Sequence, residues 1–218
     1  RRIRAALPTI EWLRASGARV ILASHLGRPK GRPEDAYRMA PVATRLRELI
    51  GAPVKIAPDC VGPEAEAAAN ALRDGELLLL ETLRFHAGEE RNDPAFVEGL
   101  RRLCDLYVND AFGACHRAHA STDGLPRALG GGAMGLLVEK EIDAFAKVLK
   151  DPKRPFVAVL GGAKAADKIP VLENLLRRVN ALVVGGGMAY TFLAAQGIPV
   201  GASRVESELL DVAKRILR

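Results

Sequence analysis

The feature that most constrains the fold is a rhythm. Short, continuously apolar runs alternate with stretches of helical periodicity along nearly the whole chain. The runs are 19–24 (RVILAS), 54–57, 77–80 (LLLL), 106–108 (LYV), 156–160 (FVAVL) and 181–184 (ALVV). Between them lie helical patterns over 41–50, 64–73, 94–103, 136–149, 169–179 and 188–196, with a last one from about 206. Pro41 near one start and Gly51 just past its end are ordinary helix punctuation, and Pro152 stops the long helix. Ile3, Leu7, Ile10 and Leu13 have helical spacing, and Pro8 among them predicts that regular helix begins or kinks there. Residues 109–135 read as mostly loop. Strands apolar on both sides, alternating with helices, predict an α/β fold whose parallel sheets are covered on both faces.

Bulk properties exclude several classes. No apolar run approaches the roughly 20 residues of a membrane-spanning helix, and no signal-peptide pattern opens the chain. Cys60, Cys104 and Cys115 are an odd set without CxxC spacing, so a reducing cytosol is expected rather than a disulfide framework. The net charge of +6 suits an anionic ligand or a polyanion without choosing between them. The chain begins at Arg1 without a methionine and ends inside a helical pattern, so it reads as a fragment.

The polar signals share one place: the carboxyl ends of the apolar runs. His25, Leu26, Gly27 and Arg28 follow RVILAS; Arg84 and His86 follow LLLL; Asn109, Asp110, His116, Arg117 and His119 follow LYV. Gly161, Gly162, Lys164 and Lys168 follow FVAVL, and Gly185, Gly186 and Gly187 follow ALVV. Ligands of open parallel sheets bind outside these strand ends. The loops are of two chemical kinds. Those of the first half supply three arginines and all four histidines of the chain. A guanidinium offers a planar fork of donors to phosphate or carboxylate, and three of them suit a small polyanion. Read singly, each arginine is equally well a surface cation in a local ion pair. The second-half loops pair glycines, which let a ligand approach the backbone, with lysines where a helix opens. Their spacing is not that of the P-loop, and glycines between strand and helix also serve simply as turns.

At these residues the chain resembles the phosphoglycerate kinase family. The resemblance rests on SHLGRPKG (24–31), LETLRFH (80–86), YVNDAFGACHRAHAS (107–121), EKE (139–141), LGGAKAADKI (160–169) and GGGMAYTFL (185–193), in the family's order and spacing. It implies two Rossmann-like, three-layer αβα domains with parallel sheets, the second one incomplete. On that reading 1–135 is the phosphoglycerate-binding domain without its first strand, 136–150 the inter-domain helix, and 151–218 the beginning of the nucleotide-binding domain. The implied reaction is reversible phosphoryl transfer between ATP and the carboxylate of 3-phosphoglycerate, giving 1,3-bisphosphoglycerate and ADP, with hinge closure of the two domains.

The resemblance also implies roles. Arg2 and Lys164 correspond to the catalytic cations at the transferring phosphoryl group. His25, Leu26, Gly27, Arg28, Arg84 and Arg117 correspond to the phosphoglycerate site, and Gly161, Gly162, Lys168 and Gly186 to nucleotide contacts. His116 and His119 are expected to support their loop. Mg2+ is expected to arrive with ATP or ADP, its protein ligand lying outside these residues, and no metal ligand is assigned within them. A cytoplasmic monomer is expected, with no nucleic acid or membrane as partner, and little or no kinase activity from the 218 residues alone. Three rival readings are weaker. A nucleic-acid binder lacks a stacking platform, with 5% aromatic residues. A dehydrogenase would need G-x-G-x-x-G opening a helix. A zinc site from Cys115, His116 and His119 matches no closed four-ligand pattern.

Overall fold

The computed structural model describes residues 1–150, 152–162 and 166–217. The chain divides into two compact units, Arg1–Asp143 and Ala144–Arg218. In the first unit, α1 (Arg2–Ala15) leads into β1 (Val20–Leu22), α2 (Ala40–Ile50), β2 (Val54–Ile56), α3 (Pro63–Asn70) and β3 (Leu77–Leu79). Then come α4 (Ala87–Arg91), α5 (Pro94–Arg101), β4 (Val108–Asn109), α6 (Leu125–Ala128), β5 (Ala133–Met134) and the start of α7 (Leu136–Leu149).

The three longer strands form a parallel sheet in the order β1-β3-β2, with Leu77 level with both Val20 and Val54. The central strand explains the layering. Successive side chains of a strand point to opposite faces. Leu77 and Leu79 accordingly join Ile10, Val20, Ala43 and Leu46 under α1 and α2. Leu78 and Leu80 join Ala65, Ala69, Phe96 and Leu100 under α3 and α5. Both faces of this sheet are therefore covered, as an uninterrupted leucine run demands.

Local chemistry sets the helix ends. Gly51 closes α2 at φ +66°, a left-handed conformation that glycine adopts without strain. Asp93 caps α5 by accepting from the Ala95 and Phe96 amides at 3.0 and 3.1 Å. Two expectations are corrected. α1 runs unbroken through Pro8 from Arg2, because Ile3, Ala6 and Leu7 pack on the core beneath α2 and hold the first turns in place. The strand expected at 106–108 is β4, Val108–Asn109, and pairs in parallel with β5; Leu106 is exposed. The span expected as loop also holds a π-helical turn, Ala120–Gly124, continued by α6.

In the second unit, β6 (Val157–Gly161), α8 (Ile169–Leu176), β7 (Ala181–Gly185), α9 (Ala189–Ala195) and α10 (Leu210–Ile216) keep the same rhythm. β6 and β7 are parallel, with Gly161 level with Gly185. Leu172, Met188, Phe192 and Ala213 form its buried core. Among the described residues one face of the sheet stays open: Val157, Val159 and Val183 are exposed, Val159 at 74%.

Candidate functional site

In the first unit the β1 and β3 loops are built onto each other. The Leu83 amide donates to the Ser24 carbonyl at 3.0 Å, and the Gly31 amide to the Arg84 carbonyl at 3.1 Å. Gly27 and Gly31 make this possible. Both have positive φ; a Cβ at Gly27 would enter the Tyr37 ring, and one at Gly31 would lie 2.8 Å from Ala87 Cβ. Sequence thus places His25 and Arg28 on one loop, with Leu26 between them exposed, and Arg84 on the other.

Arg84 is the unusual cation. It lies in the turn Leu83–Phe85, its side chain only 8% exposed, with Nε 3.3 Å from Glu90 Oε1. Nε is buried and has no hydrogen-bond partner. A buried guanidinium with an unused donor carries a desolvation cost that an anion would relieve.

The β4 loop brings the third group. Asn109 Oδ1 accepts from the Ala111 amide at 2.9 Å, shaping the turn that leads to Arg117. The Thr122 hydroxyl donates to the Arg117 carbonyl at 2.7 Å and accepts from the His119 amide at 3.3 Å. Beneath this turn sits Glu89, 3% exposed, accepting from the Ser121 amide at 3.0 Å and its hydroxyl at 2.5 Å. Its carboxylate lies 3.8 Å from His119 Nδ1. The Tyr107 hydroxyl donates to the Ser121 carbonyl at 2.8 Å, and burial pushes its pKa up to about 12.

His25, on the β1 loop, senses charges from the other two loops. Although the residue is exposed, its imidazole loses hydration against its neighbours, which lowers its pKa. Arg84, His119 and Arg117 lower it further, against a smaller opposing influence from Glu90. The structure therefore joins His25, Arg84 and Arg117 electrostatically, with Leu26, Gly27 and Arg28 on the same loop as His25. Arg2 is exposed at the first residue of α1 and is not among the main charges acting on His25. His116 is exposed, and His119 is buried with the turn it supports.

In the second unit the glycine-bearing strand ends also meet. Gly186 has φ +67°, and a Cβ there would lie 3.0 Å from the Gly162 nitrogen. The Met188 amide donates to the Gly162 carbonyl at 2.9 Å. A Cβ on Gly162 would lie 3.1 Å from Lys168 Nζ. Gly161, Gly162, Gly186 and Lys168 are thus brought together around two strand ends. Lys164 lies outside the described residues.

Some residues that shape the site carry no sequence signal, Glu89 among them. Asp110 stands at a strand end that the sequence marks, but its partners do not show there: its Oδ1 accepts from the Leu137 amide at 2.9 Å and the Val138 amide at 3.3 Å. Thr9 Oγ1 accepts from the Leu136 amide at 3.0 Å. Side chains distant in sequence therefore cap α7, inside which the chain divides into its two units.

The family model for phosphoglycerate kinase matches residues 1–218. The chain belongs to the phosphoglycerate kinase family. A phosphoglycerate kinase of Moorella thermoacetica is 58% identical over 217 residues, covering 100% of this chain and 55% of that protein. Among solved structures, phosphoglycerate kinase from Coxiella burnetii is 40% identical with a TM-score of 0.83, covering 99% of this chain and 54% of that one. The enzyme from Pyrococcus horikoshii is 35% identical with a TM-score of 0.87, covering 99% and 56%. The chain thus spans about half the length of the curated family members it matches. Membership also accounts for the α/β architecture with parallel strands. No helix among the described residues is long and apolar enough to cross a membrane.

Proposed function

We propose that Arg1–Asp143 carries the 3-phosphoglycerate site of a glycolytic phosphoglycerate kinase, and that the second unit carries part of its nucleotide site. The observation that supports this most is Arg84, buried beside the His25 loop with one donor lacking a hydrogen-bond partner. Phosphoglycerate presents a phosphate and a carboxylate, and two guanidinium forks match both groups. His25 and Arg28, with the backbone of Leu26 and Gly27, complete the cradle. Residues 136–150 act as the connecting helix between the domains.

The acceptor of the phosphoryl group is a carboxylate that is already ionised, so the reaction needs no general base. Catalysis then rests on alignment and on neutralising charge at the transferring group. Arg2 and Lys164 take that role, and hinge closure excludes water from the acyl phosphate. Gly161, Gly162 and Gly186 let ATP or ADP approach the backbone, and Lys168 meets its phosphates. Mg2+ enters with the nucleotide as part of the substrate. The enzyme works as a cytoplasmic monomer with these small molecules as its partners. The chain matches 55% of the Moorella protein's length, and the 218 residues alone bind phosphoglycerate but turn over little.

Calorimetric titration with 3-phosphoglycerate tests the reading. Arg84→Ala and Arg117→Ala should each weaken binding by about 1.5–3 kcal/mol, the range of hydrogen bonds to charged groups. Binding indifferent to both substitutions would refute it. ATP-dependent turnover by the purified 218-residue chain, at rates typical of kinases, would overturn the assignment of low activity.

A further inference from the structure

We propose that Asp59, Cys60 and His86 form a binding site for a borderline-soft divalent cation of the zinc type. The three residues come from two segments, the loop after β2 and the turn after β3, and 27 positions separate Asp59 from His86. One carboxylate oxygen, the thiol sulfur and one ring nitrogen all lie within 4.8 Å of one another. Thiolate with imidazole and carboxylate selects zinc or cobalt over magnesium and calcium, which prefer oxygen alone.

The trio is already organised by hydrogen bonds. His86 Nε2 lies 2.7 Å from Asp59 Oδ1, and the Cys60 amide donates to that same oxygen at 2.6 Å. Cys60 is fully buried in the core, and the His86 ring rests on Phe96 with centroids 5.3 Å apart. Asp59 and His86 keep side-chain exposures of 43% and 34%, so a cation can enter from solvent. The ligands therefore sit on a rigid base with one open side.

Binding replaces shared protons by the cation. The Cys60 thiol releases its proton to solvent as the metal–sulfur bond forms. His86 binds through Nε2 with its proton on Nδ1, Asp59 binds as the carboxylate, and water takes the fourth position. With one thiolate and one carboxylate the bound divalent site is neutral, and the single proton released to solvent carries the unit positive charge that the free cation and the Asp59 carboxylate held together. None of the three residues belongs to the proposed phosphoglycerate cradle.

Cobalt(II) added to the 218-residue chain tests this. One ion per chain should bind, with a thiolate-to-cobalt charge-transfer band and the intense d–d bands of a tetrahedral site, and zinc should displace it. Cys60→Ser should abolish the charge-transfer band. Asp59→Asn and His86→Gln should weaken binding by at least about 10-fold, while Cys104→Ser and Cys115→Ser leave it unchanged. Zinc should raise the thermal midpoint of the parent but not of His86→Gln. His86 is partly exposed, so that variant keeps the test decisive if Cys60→Ser fails to fold. No tetrahedral cobalt spectrum, or one that survives Cys60→Ser or depends on Cys115, would overturn the proposal.

Discussion

The two units use one plan with different chemistry. In the first, strand ends present guanidinium and imidazole groups over a sheet buried on both sides. In the second, strand ends present bare backbone and a lysine over a two-stranded sheet with one exposed face. The contrast teaches how ligand chemistry is written into a strand end. A small polyanion held by side chains suits the planar fork of arginine, and a ligand lying against the main chain suits glycine. It also separates the sources of rigidity. Arg84 is fixed by burial, whereas Gly162 and Gly186 are fixed by the close approach of two loops that follow neighbouring parallel strands.

Four predictions sharpen that contrast, the largest first. Leu78→Ala removes a fully buried side chain from the centre of the first unit, and urea unfolding should show a loss of about 2–5 kcal/mol. Val159→Ala, at the exposed face of the second, should stay within about 0.5 kcal/mol; equal losses would erase the distinction between the two sheets. Next, Glu89→Ala leaves the Ser121 amide unpartnered, which should cost about 1–3 kcal/mol. It should also loosen the turn carrying Arg117, seen as faster amide exchange at residues 117–124. Unchanged exchange would show that Glu89 does not hold that turn.

Gly186→Ala should cost about 1–2 kcal/mol, because φ +67° disfavours any side chain and the new Cβ meets Gly162. Thermal unfolding of the second unit reads this out, and no shift would mean that the turn relaxes freely. The smallest effect concerns His25. Its folded pKa lies below the ordinary 6.5, so below that pH the unfolded chain takes up a proton that the native chain refuses. Stability from this group is therefore fully present above pH 6.5 and lost as pH falls through the folded value. His25→Gln should flatten that part of the stability profile. An anion in the cradle should raise the His25 pKa, and proton uptake on binding near pH 6 checks the sign.

Much of this was legible in the sequence, for local reasons. The run LLLL, set between helical patterns, read as a doubly covered strand, and Pro41 with Gly51 bracketed α2 without tertiary information. The position of these arginines and glycines at strand ends was legible because the apolar runs that precede them are, and strand ends are where such folds bind ligands. What stayed hidden was set by contacts distant in sequence. Glu89 reaches Ser121 across 32 positions, and Asp110 reaches Leu137 across 27. Pro8 misdirected the reading of α1 because packing of Ile3 and Leu7 outweighs the missing amide donor.

The central claim is that the cationic strand ends of the first unit, and not the glycine turns of the second, hold phosphoglycerate. Amide NMR of the chain titrated with 3-phosphoglycerate tests it most directly. The account predicts shifts concentrated at residues 25–31, 83–86 and 116–119, with residues 161, 162 and 185–188 unmoved. Shifts centred on the second unit, with the His25 and Arg84 loops silent, would contradict it.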